Sequence, residues 1–201
     1  MSRFLETIRC ANGVLENLGW HEARLNRTRR AIFGATDEWD LGSRVPVPSG
    51  LDSHRVYRCR LIYGQEIELV EFIPYEKRPV RALHLVPADH LDYAFKYADR
   101  AALDGLRAYL PADEEVLLLK AGLLTDTTYA NVALFDGSTW YTPAQPLLEG
   151  TQRARLLAEG VLIRERLAEE DLRYFHKIRL FNAMLPWGEG PELPVESVVL
   201  S

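Results

Sequence analysis

The sequence predicts an α+β protein, and three observations carry that prediction. Short stretches with period-two alternation of apolar and polar residues recur at 4–10, 55–63, 66–74 and 80–86. Two-residue hairpin signals separate several of the predicted strands: Asn12-Gly13, Gly64-Gln65 and Asp136-Gly137. Helix-period segments around WHEARLNRTRRAIFG and TQRARLLAE are interleaved with them. Hairpin-joined strands mixed with helices point to α+β architecture.

Taken in order, 4–10 forms a strand that turns at Asn12-Gly13 and returns through Val14-Leu15. A helix follows, with Trp20, Leu25, Ala31 and Ile32 expected inward and Gly34 as its stop. Residues 37–53, rich in Gly, Pro, Ser and Asp, read as a loop. Strands at 55–63 and 66–74 lead to the polar link YEKRP at 75–79, which divides a small lobe, 1–76, from a larger one, 77–201. The larger lobe is expected to hold a strand at 80–86, a helix at 98–108 and a strand at 115–120. After a turn at Ala121-Gly122 come 123–128 and the hairpin strands 131–135 and 138–142. A helix at 151–159, a strand at 161–167, a short helix at 169–175 and a last strand at 177–184 complete it. There is no internal repeat and no low-complexity segment.

Composition narrows the class. With 47% hydrophobic and 26% charged residues, the 201-residue chain has the balance of an ordinary soluble globular protein. A net charge of −5 argues against nucleic acid or an anionic membrane as a partner. The longest apolar runs are far too short to cross a bilayer, and MSRFLETIRC lacks the apolar core of an export signal. Cys10 and Cys59 make neither a metal spacing nor a disulfide framework, which suits the cytoplasm.

Five stretches carry side chains suited to chemistry. His21 and Arg24 share one helical face by their i, i+3 spacing. LLTDTTYAN sets Asp126 among threonines, as a hydrogen-bonded turn also would. In YTPAQPLLEGTQRARLL, Gly150 opens a helix after a proline-containing loop, and the N–H groups of such a terminus attract anions. RLFNAMLP places Asn182 at the end of an apolar strand. LDYAFKYADR sets Lys96 between Phe95 and Tyr97.

Taken in chain order, the five stretches resemble the class IV aminotransferases, the fold-type IV enzymes that bind pyridoxal 5'-phosphate. The matches are Glu6-Thr7-Ile8-Arg9, then Asn12-Gly13, then His21-Glu22-Ala23-Arg24-Leu25. Lys96 to Arg100, Thr125-Asp126 with Asn131, and Thr142-Pro143 with Leu148 to Arg153 follow. The resemblance implies a two-lobed fold, with a small α+β lobe, a larger barrel-like lobe and cofactor in the cleft between them. It implies Lys96 as the Schiff-base lysine, Arg24 as a phosphate ligand and Asp126 as the partner of the pyridine nitrogen. Gly150, Thr151 and Gln152 would form the phosphate turn, with Asn182 as a phosphate or substrate contact and Met184 and Leu185 lining the pocket. A guanidinium fork can meet two phosphate oxygens, and a carboxylate at the ring nitrogen keeps that nitrogen protonated.

The chain departs from the family pattern in four places, the first being Asp99, which replaces the common asparagine of the Lys96 motif. Asp126 replaces the usual glutamate, Thr151-Gln152 replaces an Ile-Thr pair, and the match begins almost at Met1, which implies a trimmed N-terminal lobe. The RLFNAMLP run leans toward aminodeoxychorismate lyases, which release 4-aminobenzoate and pyruvate. A class IV aminotransferase using a small amino acid and a keto acid is the alternative, and a non-catalytic cofactor-binding relative the second alternative. Arg9, Arg58 and Arg60 are candidates for a substrate carboxylate, equally explained as strand surface charges. A small-molecule amine substrate, a homodimer and no metal complete the expectation.

Overall fold

The computed structural model describes residues 2–200, which are divided between two compact units. The first takes residues up to 77 together with 95–99, and the second takes 78–94 and everything from 100 onward. The expected division at 76/77 falls beside the first crossing. Lys96, however, was expected in the larger lobe and belongs to the first unit. The reason is backbone pairing: Leu5 N donates to Lys96 O at 2.8 Å, Ala98 N donates to Arg3 O at 2.9 Å, and Tyr97 bridges Phe4.

In the first unit β1 (Phe4–Ala11) pairs with β2 (Val14–Leu15) through Asn12 and Gly13. Both turn residues have positive φ, 52° and 73°, as a tight hairpin turn of this hand requires. α1 (Leu18–Phe33) ends at Gly34, whose φ of 67° lets its N–H reach back to Arg30 O. The expected loop contains one short turn of helix, α2 (Leu41–Arg44), started by the Asp40 side chain accepting from Gly42 N. β3 (Tyr57–Tyr63) and β4 (Ile67–Pro74) complete an antiparallel sheet in the order β2-β1-β3-β4. Its core holds Phe4, Ile8, Cys10, Leu25, Trp39, Leu41, Cys59 and Leu61.

α1 does not bury the face expected of it. Leu25 is buried, but Ala31 and Ile32 are exposed, and the inward stripe is His21, Arg24, Thr28 and Arg29. A polar stripe can face inward because most of its groups find partners, the buried Nε of Arg29 being an exception. Thr28 Oγ1 donates to Arg24 O at 3.0 Å, and Arg29 donates to both carboxylate oxygens of Asp37 while its guanidinium lies 3.8 Å from the centroid of the Trp39 ring.

The second unit begins with β5 (Ala82–Pro87), α3 (Ala101–Leu106), β6 (Glu114–Lys120) and β7 (Leu123–Leu124). β8 (Asn131–Phe135), β9 (Trp140–Pro143), α4 (Thr151–Ala158) and β10 (Ile163–Glu165) follow. A 3-10 helix at Glu169–Tyr174 leads to β11 (Lys177–Phe181), β12 (Glu192–Pro194) and β13 (Val198–Val199). Two sheets result, ordered β10-β9-β8-β11-β12 and β13-β5-β6-β7. Leu83, Leu117, Leu124, Val132, Leu134, Ile178, Leu180 and Val198, drawn from both sheets, form a single core. α4 packs on the opposite face of β8 and β11 through Leu156, against Ala133 and Phe181. The expected helix at 98–108 is limited to α3, and the expected strands at 161–167 and 177–184 to β10 and β11. β12 and β13 were not expected from the sequence.

Truncation of Leu117, fully buried in this core, to alanine is expected to cost about 2–5 kcal/mol. The same change at Tyr109, which is 99% exposed, is expected to cost less than about 0.5 kcal/mol. Urea midpoints of the two variants beside wild type check both values.

Candidate active site

The candidate residues of the first unit gather on β1 and α1. Period-two geometry puts Glu6 on the same inward face as Phe4, Ile8 and Cys10, so a carboxylate enters an apolar core. α1 brings two partners to it from positions i and i+3. Arg24 Nε donates to Glu6 Oε1 at 2.8 Å, Arg24 Nη2 to Oε2 at 2.6 Å, and His21 Nδ1 lies 2.6 Å from Oε2. Burial pushes the Glu6 carboxyl up, but the Arg24 charge and the hydrogen bonds from His21 and Arg24 outweigh it and hold the group at about 2.

His21 is fully buried, and burial pulls its pKa down. Glu6 opposes that shift, while the charges of Arg24 and Lys96 reinforce it. The imidazole is therefore neutral at pH 7, with Nδ1–H donating to Glu6 and the ring's lone pair on Nε2. Lys96 is half-buried in an extended segment held to β1, close enough for its charge to act on His21. The structure thus brings Lys96 and Arg24 to the same neighbourhood. It also commits the Nε–Nη2 edge of Arg24 to Glu6, so that edge of the fork is already in use.

The candidates of the second unit lie around the loop between β7 and β8. Thr125, Asp126, Thr127 and Thr128 are all buried. Their hydroxyls are satisfied locally: Thr125 donates to Leu118 O, Thr127 to Ala130 O and Thr128 to Glu115 Oε1. Asp126 Oδ1 accepts from Asn131 Nδ2 at 2.7 Å and Oδ2 from Leu148 N at 2.8 Å. Burial dominates here. It raises the Asp126 carboxyl to about 6 against the opposing pull of the Leu148 and Asn131 hydrogen bonds and the Arg153 charge.

Gly150 caps α4, so the helix's first N–H groups have no intrahelical acceptor. Thr151 and Gln152 are buried at that end. The Gln152 side chain faces the protein: with the amide oriented to suit its neighbours, its oxygen accepts from Trp187 N at 3.3 Å and Arg155 Nη2 at 2.9 Å. Asn182 is likewise engaged by the chain, donating to Tyr129 O at 3.0 Å and accepting from Met184 N and Leu185 N. It shapes the turn in which Met184 and Leu185 are buried. Arg9 is ion-paired with Glu16 and Arg60 with Glu71, whereas the buried Nε of Arg58 has no hydrogen-bond partner.

Sequence reasoning missed the parts played by Glu6 and Asn131. Glu6 was legible in principle, because a charged residue at a core-parity position of a strand requires a buried partner. The partner of Asp126 had no local signal beyond its place in a motif. Among the described residues no cluster of three or more His, Cys, Asp or Glu side chains suits a metal.

The amino-transferase class IV family profile matches residues 3–190. A curated protein of Haemophilus influenzae is 33% identical over 186 residues, covering 92% of this chain and 98% of that one. A solved structure from Haemophilus somnus 129PT, provisionally named a 4-amino-4-deoxychorismate lyase, superposes with TM-score 0.86 at 29% identity. That match covers 92% of this chain and 98% of the other. A provisionally named amino-acid aminotransferase from Mesorhizobium loti matches over the full length of both chains, with TM-score 0.75 at 24% identity. A hypothetical aminotransferase from Mycobacterium tuberculosis, in its pyridoxal-phosphate-bound form, shares the fold, with TM-score 0.75 at 19% identity over 96% of this chain and 80% of that one. The chain belongs to the class IV aminotransferase family.

The two buried carboxylates set opposite pH dependences in the cofactor-free protein. Glu6, depressed to about 2 from 4.5, gives stability that is present above pH 4.5 and lost as pH falls toward 2. Asp126, raised to about 6 from 3.8, favours the folded state below pH 3.8, and that contribution is lost as pH rises through 6. Urea midpoints are therefore expected to fall between pH 4 and 6 by the equivalent of about 1–3 kcal/mol. Asp126→Asn is expected to flatten that fall, and Glu6→Gln to leave it in place while lowering stability at pH 7.

Proposed function

We propose that this chain is a pyridoxal 5'-phosphate enzyme acting on a small-molecule amine, and that it cleaves 4-amino-4-deoxychorismate to 4-aminobenzoate and pyruvate. The observation that carries the reading is the convergence of Lys96, Arg24 and His21 within one unit, with Lys96 fixed to β1 by main-chain hydrogen bonds on both sides. The residues fit the cofactor. Asp126 is a buried carboxyl near neutrality, suited to sharing a proton with a ring nitrogen, and α4 offers main-chain N–H groups to a phosphate.

When bound, the cofactor supplies an aldehyde that condenses with amines and a ring that accepts electron density. Lys96 Nζ would be the attachment point and the group that moves a proton to and from the substrate. Arg24 holds phosphate oxygens, its plane fixed by Glu6. The turn at Gly150, Thr151 and Gln152 supplies main-chain donors, with the Gln152 side chain serving to anchor the turn. Asp126 keeps the ring nitrogen protonated. Asn182 acts by shaping the turn that carries Met184 and Leu185. Arg58, whose neighbours Arg9 and Arg60 are ion-paired, is the arginine for a substrate carboxylate.

The lyase reading draws on the Asn182–Pro186 run and on the name carried by the Haemophilus somnus relative. The aminotransferase reading draws on the Mesorhizobium loti neighbour. A homodimer in a reducing compartment is part of the proposal; Cys10 and Cys59 are free and buried, and burial pushes the Cys59 thiol up to about 12.

Pyridoxal phosphate added to the purified protein is expected to give a band at about 400–430 nm. Borohydride should fix the label on Lys96, and Lys96→Ala should abolish both band and label; a wild type without the band sinks the cofactor assignment. Equal yields of pyruvate and 4-aminobenzoate from aminodeoxychorismate support the lyase, whereas a keto acid and pyridoxamine phosphate from amino acids alone support the aminotransferase. Arg58→Ala is expected to raise KM by about tenfold or more with a smaller change in kcat, the consequence of losing a charged hydrogen bond to bound substrate.

A further inference from the structure

Asn131 opens β8 and forms an isolated bridge with Asp126. Its side chain does three things at once. Nδ2 donates to Asp126 Oδ1 at 2.7 Å and to Leu148 O at 3.0 Å. Oδ1 fills the space beside Gly150: a Cβ placed on that residue would lie 2.0 Å from Asn131 Oδ1, and the three nearest atoms all belong to Asn131. Leu148 N closes the ring by donating to Asp126 Oδ2. The asparagine is 5% exposed, so these bonds form away from bulk water.

The glycine at 150 is explained by that side chain. Its φ of −68° and ψ of 145° are open to any L residue, so backbone conformation does not demand glycine. Occupied space does. Any side chain at 150 would push Asn131 away, and with it the donor on Asp126.

We propose that Asn131 is a positioning residue that locks the Asp126 carboxylate and the Gly150 turn together, so that recognition of the cofactor's ring nitrogen and of its phosphate is set by one side chain. The inference rests on the functional reading above and assigns a residue that reading does not use. Asn131 acts through Asp126 and the turn and touches no cofactor itself. It follows that damage at Gly150 is transmitted through Asn131 and is relieved when Asn131 is made small.

The test is a double-mutant cycle of wild type, Asn131→Ala, Gly150→Ala and the double variant, with pyridoxal phosphate and phosphate-free pyridoxal as probes of binding. Gly150→Ala is expected to weaken pyridoxal phosphate by about tenfold or more, the scale of one lost charged hydrogen bond. The double variant is expected to bind several-fold better than Gly150→Ala, since the clashing atoms are gone. Additive losses, with the double variant weakest, overturn the proposal. Pyridoxal should be weakened by Asn131→Ala as well, because the ring-nitrogen partner is loosened; a loss confined to the phosphorylated probe overturns the shared role.

The same four proteins without cofactor are followed by urea midpoint against pH. Asn131→Ala is expected to move the fall that occurs between pH 4 and 6 to higher pH, because a donor to the Asp126 carboxylate is lost. An unmoved fall overturns the positioning of Asp126 even if every variant is destabilised. A wild type that binds neither probe ends the cofactor reading, while the cofactor-free cycle still decides whether Asn131 couples the carboxylate to the turn.

Discussion

The first unit depends on one buried charge. Glu6 lies on the inward face of β1, and a carboxylate left alone there would cost several kcal/mol. Arg24 and His21 relieve that cost, and they can do so only if α1 lies across β1 with one rotation about its own axis. A polar contact thus fixes the helix where an apolar stripe would have left its rotation looser. β1 also carries β2, β3 and the 95–99 segment on its backbone. The strand that buries the charge is the strand that holds Lys96.

The second unit treats its own buried carboxylate differently, and the contrast is chemical. Glu6 meets a guanidinium on two atoms and an imidazole on a third contact, so opposite charge wins over burial. Asp126 meets a neutral amide and a main-chain N–H, with Arg153 acting only as a more distant charge, so burial wins. One group is a permanent anion that holds cations in place. The other sits near the pH at which a carboxyl can exchange its proton with a basic partner.

The sequence carried the hairpins clearly, because Asn12-Gly13 and Asp136-Gly137 announce a backbone shape through residue type alone. It carried the order of the chemistry-bearing stretches through resemblance. It misled on α1, where Ala31 and Ile32 invited an apolar reading of a helix whose buried face is His21, Arg24, Thr28 and Arg29. Hydrophobic periodicity cannot see a face buried through ion pairs. β12 and β13 were invisible for another reason. They are three and two residues long, and β13 exists because Val198 reaches Leu83 far away in sequence, which no local pattern encodes.

Positions 126, 150 and 151–152 differ in how their side chains are held by neighbours. At 151 and 152 the N–H groups that open α4 belong to the backbone whatever the side chains, and Gln152 turns its amide inward to Trp187 and Arg155. At 126 the shorter aspartate retains a carboxyl whose two oxygens are each held by a fixed donor. Gly150 has no such latitude, although its dihedral angles would admit alanine. Asn131 has taken the space a side chain would need, and the amide that takes it is the one that binds Asp126. The strictness at 150 therefore originates at 131, since a residue can be constrained by what its neighbour must do as firmly as by its own backbone.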